Sequence, residues 1–378
     1  MLNRRQIRVR AMQSLYAYKQ ADGANFSLAQ DLITDTFSPN LNSMEHQDKE
    51  KLEGFRKLGQ LIFEENFSRK TVAEDAQETP QNVRLAVEKS IDFYHLKCKK
   101  DAEYYQNRSI TEAEKVYDLY LLTLSLFVEI AERAVMEKLN SKTQLADNQI
   151  LNAIIHDKNY ELQIIRRGIN WNGEQVLVSK IYREVIRTNE TYLAYCAAAK
   201  HTLEEDFSLL KYLLKNVILK HEITWDFFEK QDLYWHEDVE TLRAMVSHTF
   251  QSAAEGALKI ETLEEDWQES RNFLQTLYNK SIAEAKNLEE MLLPKLKNWE
   301  MERIADTDQI LLKMALIEMM NYPSIPVKVT INEIIEIAKE YSTPKSGQFL
   351  NGVLDILSKE LLSSGKIRKS GRGMLDNK

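Results

Sequence analysis

The chain has 378 residues, 29% of them charged and 43% hydrophobic, with a formal net charge of -8. A chain of this length is expected to form more than one packed unit, and its acidity excludes a protein that coats nucleic acid over its whole surface. Cys98 and Cys196 lie far apart and match no metal or redox spacing, which fits free thiols in a reducing compartment. The apolar runs are too short and too interrupted to span a bilayer, so we expect a cytoplasmic protein that does not enter the membrane.

Apolar residues recur at helical spacing along most of the chain. The first helix is predicted at residues 4–20, where Ile7, Ala11 and Leu15 form one stripe. Residues 68–82 contain few large apolar side chains and one proline, and they are predicted to be a loop or linker. Further helical segments are predicted at 26–37, 52–67, 83–140 with an interruption at 107–111, 176–201, 203–220 and 238–262.

The composition changes near residue 265, where we place a boundary. Four of the six prolines and five of the eleven glycines lie after this point. Strand-like alternation never lasts more than a few residues, so the chain is predicted to be all-α and built of helical bundles. We expect an elaborated helical N-terminal region, a C-terminal helical bundle and a basic flexible tail, at residues 1–265, 266–365 and 366–378.

The C-terminal bundle is predicted to contain helices at 267–292 and 307–320, followed by two terminal helices. Thr330 and Glu333 have capping-box spacing and predict the start of the first terminal helix. Thr343 before a proline predicts the start of the second. The predicted core stripe of the last helix is Leu350, Val353, Leu354, Leu357 and Leu361.

Catalytic chemistry is not indicated by the motifs of the chain. It has no glycine-rich nucleotide loop, no paired-histidine zinc motif and no serine-hydrolase elbow. Asp92 and His95 approximate one arm of a helical di-metal site, but the sequence supplies no second arm. We therefore expect no enzyme activity, no cofactor and no bound metal.

Positive charge is concentrated at the two ends of the chain. Residues 1–20 contain four arginines and one lysine but no acid, and residues 366–372 add four basic residues. Arg4, Arg5 and Arg8 are spaced to grip successive phosphates, and Tyr16 offers a ring on which an unpaired base could stack. These ends predict an RNA-binding surface, although basic termini that are merely solvated account for the same residues.

Two glycines interrupt the last predicted helix, in the stretch YSTPKSGQFLNGVLD. Glycine inside a helix costs about 1 kcal/mol relative to alanine, so each position needs a reason. We assign Gly352 to close helix packing and Gly347 to the ligand side, where the helix N-terminus and Lys345 would attract a phosphate. The basic first helix and this bend are then expected to meet in space.

Residues 4–18 and 298–355 resemble the NusB family of bacterial transcription antitermination factors. The first segment carries the resemblance in RRQIRVRAMQSLYAY. The second combines Trp299 before an R-I-x-x-x-D helix start, the segment IPVKVTINE and the finish F-x-N-G-V-L-D. Residues 21–265 show no such match, so the chain resembles a long variant with a large extra helical region.

The resemblance implies a non-catalytic protein of two small helical bundles that binds a boxA-type element of nascent ribosomal RNA. It implies the ribosomal protein NusE as a partner, within a complex on RNA polymerase, and leaves open whether the chain forms a homodimer. Relatives often carry an acid at the position of Lys345, where a lysine strengthens phosphate attraction. For NusE, the resemblance points to Glu318 and Asp306. The RNA contacts carried over position by position are Arg4, Arg5, Arg8, Gln13, Tyr16, Lys345, Ser346, Gln348 and Phe349.

Two other classes of protein are alternatives. RNA methyltransferases with a NusB-like domain need a glycine-rich cofactor unit, which this sequence lacks. A helical scaffold in ribosome biogenesis, with protein partners only, would need no RNA surface. Binding of a boxA-containing RNA but not of a scrambled RNA distinguishes RNA recognition from such a scaffold.

Overall fold

A computed structural model describes residues 3–42, 44, 47–69, 79–137, 144–261, 264–296 and 304–377. Every regular element in these ranges is helical, which confirms the predicted all-α fold. None of the helices in the described ranges is long and apolar enough to cross a membrane. The central part of the predicted linker, residues 70–78, lies outside the described residues.

The α-helices of the described ranges number fifteen, and short 3-10 turns and two π-helical segments connect some of them. The π segments are Ile181–Ile186 and Leu213–Ile218. The helices are α1 (Arg4–Thr36), α2 (Lys49–Asn66), α3 (Gln81–Met136), α4 (Gln149–Ile155), α5 (Lys158–Arg167), α6 (Gln175–Lys180), α7 (Glu190–Ala197), α8 (Leu203–Tyr212), α9 (Glu222–Gln231), α10 (Trp235–Ala254), α11 (Glu264–Ala283), α12 (Ala285–Leu292), α13 (Asp306–Asn321), α14 (Val327–Tyr341) and α15 (Ser346–Ser363).

Several helices have boundaries that differ from the predicted ones. Helix α3 runs without a break through 107–111, where Ser109 and Ile110 are buried. Helix α14 begins at Val327, directly after a proline, and not at Thr330. The Thr330 hydroxyl caps nothing but donates to Glu318 Oε1 over 2.7 Å, because this side chain is buried against α13. Ser109, Ile110 and Thr330 are buried by contacts that local sequence spacing does not encode, and this burial explains both differences.

The chain clusters into two compact units, each made of two separate stretches. Unit 1 comprises Met1–Ile7 and Ile110–Phe273, and unit 2 comprises Arg8–Ser109 and Leu274–Lys378. The division therefore differs from the single boundary predicted near residue 265. Unit 2 joins early and late residues because α1 pairs with α13, for example through the ion pair of Lys19 with Asp306.

Part of unit 2 is a three-helix core formed by the second half of α1, α2 and the first half of α3. Phe63 of α2 is fully buried at its centre, 5.3 Å from the Phe26 ring and 6.4 Å from the Tyr94 ring. Aliphatic residues from the flanking helices, such as Ile33 and Val87, complete the core. Aromatic pairs of this kind add about 0.5–1.5 kcal/mol each beyond their buried area. The unmatched early region thus contributes a packed core of its own.

The C-terminal part of unit 2 is built around α13. Leu311, Leu312, Ala315 and Leu316 are fully buried, as expected for a helix that is apolar on nearly all sides and lies at the centre of its bundle. Helices α14 and α15 pack on it and on each other. The predicted core stripe of the last helix is confirmed, since Leu350, Val353, Leu354, Leu357 and Leu361 are all buried.

The basic segment after residue 366 was predicted to be a flexible tail, yet it packs against the turn between α13 and α14. Ile367 is buried, and the Lys369 ammonium donates to the Tyr322 carbonyl over 3.0 Å. The Ser370 amide donates to the Pro323 carbonyl, also over 3.0 Å. Gly373 lies so close to Pro323 that a Cβ there would overlap this carbonyl oxygen. Only glycine fits this approach.

We expect Gly373→Ala to detach the tail, because the overlapping atom belongs to rigid backbone. Overpacking of this kind costs about 1–3 kcal/mol. Gly352→Ala is the matched control, since no described atom lies within 4 Å of its Cβ position and an added methyl should stabilise the helix by about 0.4–1 kcal/mol. Hydrogen exchange of the Ser370 amide measures the first effect, and thermal unfolding measures both. Unchanged exchange in Gly373→Ala would show that the tail does not depend on this contact.

Candidate nucleic-acid interface

The first turn of α1 belongs to unit 1 and is anchored on α10. Gln6 Nε2 donates to the Glu237 carbonyl over 2.8 Å and to Thr241 Oγ1 over 2.9 Å. Arg4 is half-buried, forms an ion pair with Glu269 and lies 5.1 Å over the Phe273 ring. Its guanidinium is therefore already engaged by α11.

The arginines of this turn differ in exposure. Arg5 is exposed, whereas Arg8, one turn later, has only 2% of its surface accessible. Arg8 binds Glu318 through two parallel bonds, Nε to Oε2 over 2.6 Å and Nη2 to Oε1 over 2.7 Å. Its third nitrogen lies 3.7 Å from a Glu333 oxygen. Arg8 thus holds α1 against α13, and as placed it presents no charge to a phosphate.

The same contacts give Glu318 an internal role, whereas the resemblance suggested it as a contact for NusE. Only 1% of its surface is accessible, and both carboxylate oxygens accept bonds from Arg8. The Thr330 hydroxyl adds a third bond. Through these three bonds the Glu318 carboxylate holds α1 and α14 against α13. Asp306, the other suggested contact, is half-exposed and paired with Lys19 over 2.7 Å.

Further along α1, within unit 2, three polar residues form an outward strip: Gln13, Tyr16 and Gln20. Their spacing of three and four residues places them on one helix face. Tyr16 is 42% exposed, and Gln20 Nε2 donates to Asp306 at the start of α13 over 3.2 Å. Gln13 is half-buried, and its Oε1 has no hydrogen-bond partner among the described residues. The strip thus combines an exposed planar ring with the exposed amide of Gln20, and an amide can bond to bases or 2′-hydroxyls.

The bend before α15 is fixed by a single carboxylate. Asp308, in the first turn of α13, is buried, and its two oxygens accept from the Ser342 and Ser346 hydroxyls, each over 2.7 Å. The Thr343 hydroxyl lies 2.8 Å from Ser346 Oγ. Ser346, a predicted RNA contact, is therefore an internal clamp. Its role is to hold the chain so that Lys345 and Gln348 are exposed.

The predicted surface has two parts, α1 and the bend before α15, and both contact helix α13. Lys19 and Gln20 bond to its first turn at Asp306, close to the Asp308 that holds the bend. Arg8 binds Glu318 on the same helix. Glu318 lies ten residues after Asp308, which is about 15 Å along the helix axis. Arg8 is therefore held at a different level of α13 from the bend, which the basic first helix was expected to meet. The middle of α1, near Gln20, bonds instead to the first turn of α13, which also holds the bend.

The packing role predicted for Gly352 is not seen, and Gly347 is the glycine that lies against a neighbouring helix. Gly352, assigned to helix packing, is exposed, and the described structure places nothing within 4 Å of its Cβ position. Gly347, assigned to the ligand, faces α14, where a Cβ would lie 3.4 Å from Ile335 Cγ2. Gly347 thus packs against α14, at a distance where a methyl group would make an ordinary van der Waals contact.

The structure thus sorts the predicted contacts by accessibility. Gln20 and Asp308 were not predicted, although Asp308 is the last residue of the R-I-x-x-x-D motif and could have been singled out. Trp299 and the arginine of that motif, Arg303, lie outside the described residues. The exposed contacts are Arg5, Tyr16, Lys345 and Gln348, the half-buried ones are Arg4, Gln13 and Phe349, and the buried ones are Arg8 and Ser346.

Comparisons with known proteins agree on one part of the chain. Residues 235–359 match the NusB family. Over 106 residues the chain is 40% identical to the transcription antitermination protein NusB of Salinibacter ruber, an alignment that covers 28% of this chain and 66% of that protein. The corresponding protein of Chloroherpeton thalassium is 40% identical over 107 residues, which cover 28% and 51% of the two chains. That of Koribacter versatilis is 37% identical over 94 residues, covering 25% and 64%.

The chain therefore spans between 51 and 66% of the length of these relatives, less than two thirds of each. No solved structure matches it. Residues 1–234 lie outside the family match, which begins within the stretch 21–265 that was expected to show none.

Proposed function

Because residues 235–359 form a NusB-family domain, we propose that this protein is a non-catalytic, RNA-binding transcription antitermination factor. It acts in the cytoplasm on boxA-type elements of nascent ribosomal RNA, together with NusE, within a complex on RNA polymerase. The observation that carries the proposal is the family match at this domain. The match coincides with a bend whose exposed residues suit single-stranded RNA.

The surface proposed for RNA in unit 2 consists of Gln13, Tyr16, Lys345, Gln348 and Phe349. Tyr16 is the largest exposed side chain of the strip, and base stacking on such a ring contributes about 1–3 kcal/mol per base. Lys345 is exposed at the N-terminus of α15, where the positive end of the helix dipole also favours a phosphate. The half-buried Phe349 lies one turn further on and can frame a base.

Recognition on this surface depends more on stacking and hydrogen bonds than on phosphate charge. Arg8 is neutralised by Glu318, and Lys19 is paired with Asp306. Arg5, on the first turn of α1 in unit 1, is the exposed arginine that we propose as a further phosphate contact. Since each phosphate contact to a single strand contributes about 0.7 to the salt slope of log K, a shallow slope is expected.

We expect Tyr16→Ala to weaken binding of a boxA-containing RNA by about 5- to 150-fold, which is the loss of one stacked base. Lys345→Ala should lower the salt slope by about 0.7. Fluorescence anisotropy with a labelled RNA, at several salt concentrations and with and without NusE, measures both quantities. A scrambled RNA of the same composition should bind the wild type more weakly than the boxA-containing RNA does.

Two variants serve as matched controls. Tyr104 is also an exposed tyrosine of unit 2, at 55%, and Lys286 is an exposed lysine on α12, so neither alanine substitution should alter RNA affinity. An equal loss in Tyr16→Ala and Tyr104→Ala would remove the strip from the interface. Equal affinity for boxA and scrambled RNA, with NusE present, would favour the alternative of a helical scaffold with protein partners only.

A further inference from the structure

A cavity of about 290 Å³ lies inside unit 2, between the first half of α1, the α11–α12 connection and α13. Its apolar wall includes Leu15, Ile282 and Ile310, and its polar wall includes Tyr18 and Asp22. A cavity lined by aliphatic side chains and a few polar groups is typical of sites for small ligands.

All of the charged side chains that line this cavity form ion pairs within the described ranges, except Asp22. Lys19 Nζ lies 2.7 Å from Asp306 Oδ1, and Lys313 Nζ lies 2.6 Å from Glu289 Oε1. Both rim lysines are thus paired with acids. Asp22, by contrast, has no cationic partner within the described ranges, so the lining retains one uncompensated negative charge.

The donors that Asp22 does have leave one of its oxygens open. The Tyr94 hydroxyl donates to Asp22 Oδ1 over 2.7 Å, and the Cys98 thiol donates to the same oxygen over 3.2 Å. The described residues supply no donor to Oδ2. A second carboxylate, Asp101, lies close enough to Tyr18 that it and Asp22 both add to the effect of burial in raising the pKa of this phenol.

A buried hydroxyl in the same wall also lacks a partner. Ser281 on α11 is 5% exposed, lines the cavity, and its Oγ makes no hydrogen bond within the described structure. The hydroxyl of Tyr278, one turn earlier on the same helix, is likewise buried and without a partner there. Buried polar atoms in native proteins are almost always satisfied, so the Ser281 hydroxyl in the cavity wall indicates a missing ligand or ordered water.

We infer that this cavity binds an alkylammonium group, with Asp22 Oδ2 accepting from the ammonium and Ser281 Oγ accepting a further N–H. The aliphatic stem would lie along Leu15, Ile282 and Ile310. The same chemistry is offered by a free aliphatic diamine and by a lysine side chain of a partner protein. The inference goes beyond the proposed RNA recognition and does not depend on it.

Titration calorimetry of the full chain tests the inference with three probes at constant ionic strength: cadaverine, Nα-acetyl-lysine methylamide and the uncharged 1-pentanol. Binding of either amine, but not of 1-pentanol, is the expected result. Cadaverine as the better ligand indicates a free diamine, and the lysine derivative as the better ligand indicates a partner's side chain. Failure of both amines to bind overturns the inference.

Asp22→Asn is the decisive variant, because an asparagine keeps the Oδ1 acceptor for Tyr94 and Cys98 and replaces only Oδ2. Amine affinity should fall at least about tenfold, as expected for loss of a charge-assisted bond. Asp31→Asn, an exposed acid on the same helix, should bind like wild type. Ala285→Leu, which fills the cavity without changing its charge, should also abolish binding. Wild-type affinity in either Asp22→Asn or Ala285→Leu would contradict the inference.

Discussion

Arg8→Ala is expected to lower the free energy of unfolding by about 3–5 kcal/mol, the usual cost of removing one partner from a buried ion pair. The side chains of Arg8 and Glu318 are 2% and 1% exposed and form two parallel bonds. Without the guanidinium, the buried carboxylate of Glu318 keeps only the hydrogen bond from the Thr330 hydroxyl among the described residues, and the carboxylate of Glu333 lies nearby. Urea denaturation of the full chain, followed by far-UV circular dichroism, measures the loss.

Two further variants separate this structural role from RNA binding. Arg5→Ala changes an exposed arginine about one turn before Arg8 and should stay within about 0.5 kcal/mol of wild-type stability. The double variant Arg8→Met with Glu318→Met should recover most of the loss, because replacing both members of a buried pair by apolar residues is often neutral. An Arg8→Ala protein with wild-type stability and a flattened salt slope for RNA would reverse the assignment and return Arg8 to the interface.

Asp308→Ala is expected to cost about 2–4 kcal/mol and also to weaken RNA binding. Asp308 accepts from both Ser342 and Ser346, and bonds to a charged acceptor contribute about 1.5–3 kcal/mol each. Ser346 is 2% exposed, so its hydroxyl would have to find a new partner or shift the chain. Since this bend presents Lys345 and Gln348, its displacement should reduce affinity for RNA through geometry and not through charge.

Asp306→Ala is the matched control for Asp308→Ala, because it removes an acid from the same turn that is half-exposed. Its ion pair with Lys19 is worth at most about 1 kcal/mol at this exposure. Asp308→Asn keeps one carbonyl acceptor and should fall between the two in stability. If Asp308→Ala destabilised the protein no more than Asp306→Ala, the bend would be held by other contacts and Asp308 would have no special role.

Helical periodicity predicted most of the core but not the helix boundaries. The stripe from Leu350 to Leu361 is buried as expected, because apolar spacing reports directly on the face that a helix buries. The uninterrupted course of α3 was missed. An interruption was predicted at 107–111, but burial of residues such as Ile110 keeps the helix continuous there. The π segment Ile181–Ile186 carries no composition that distinguishes it from an α-helix.

The candidate interface shows a sharper limit of sequence reasoning. Arg5 and Arg8 are equivalent in a charge pattern, and only the position of Glu318, 310 residues after Arg8, decides which of them is buried. The same holds for Ser346, whose hydroxyl is used by Asp308. The resemblance located the right segments, but whether a polar side chain faces solvent or a partner inside the protein depends on contacts far apart in the sequence.

The Cys98 thiol, which donates to Asp22, is expected to react poorly with labelling reagents. Burial, reinforced by the adjacent carboxylate, raises the pKa of Cys98 to about 12, and burial also raises the pKa of Cys196. Because the thiolate is the reactive species, both cysteine thiols should be nearly inert to maleimide at neutral pH. A fluorophore could therefore be attached through one newly introduced surface cysteine, with the wild-type background left untouched.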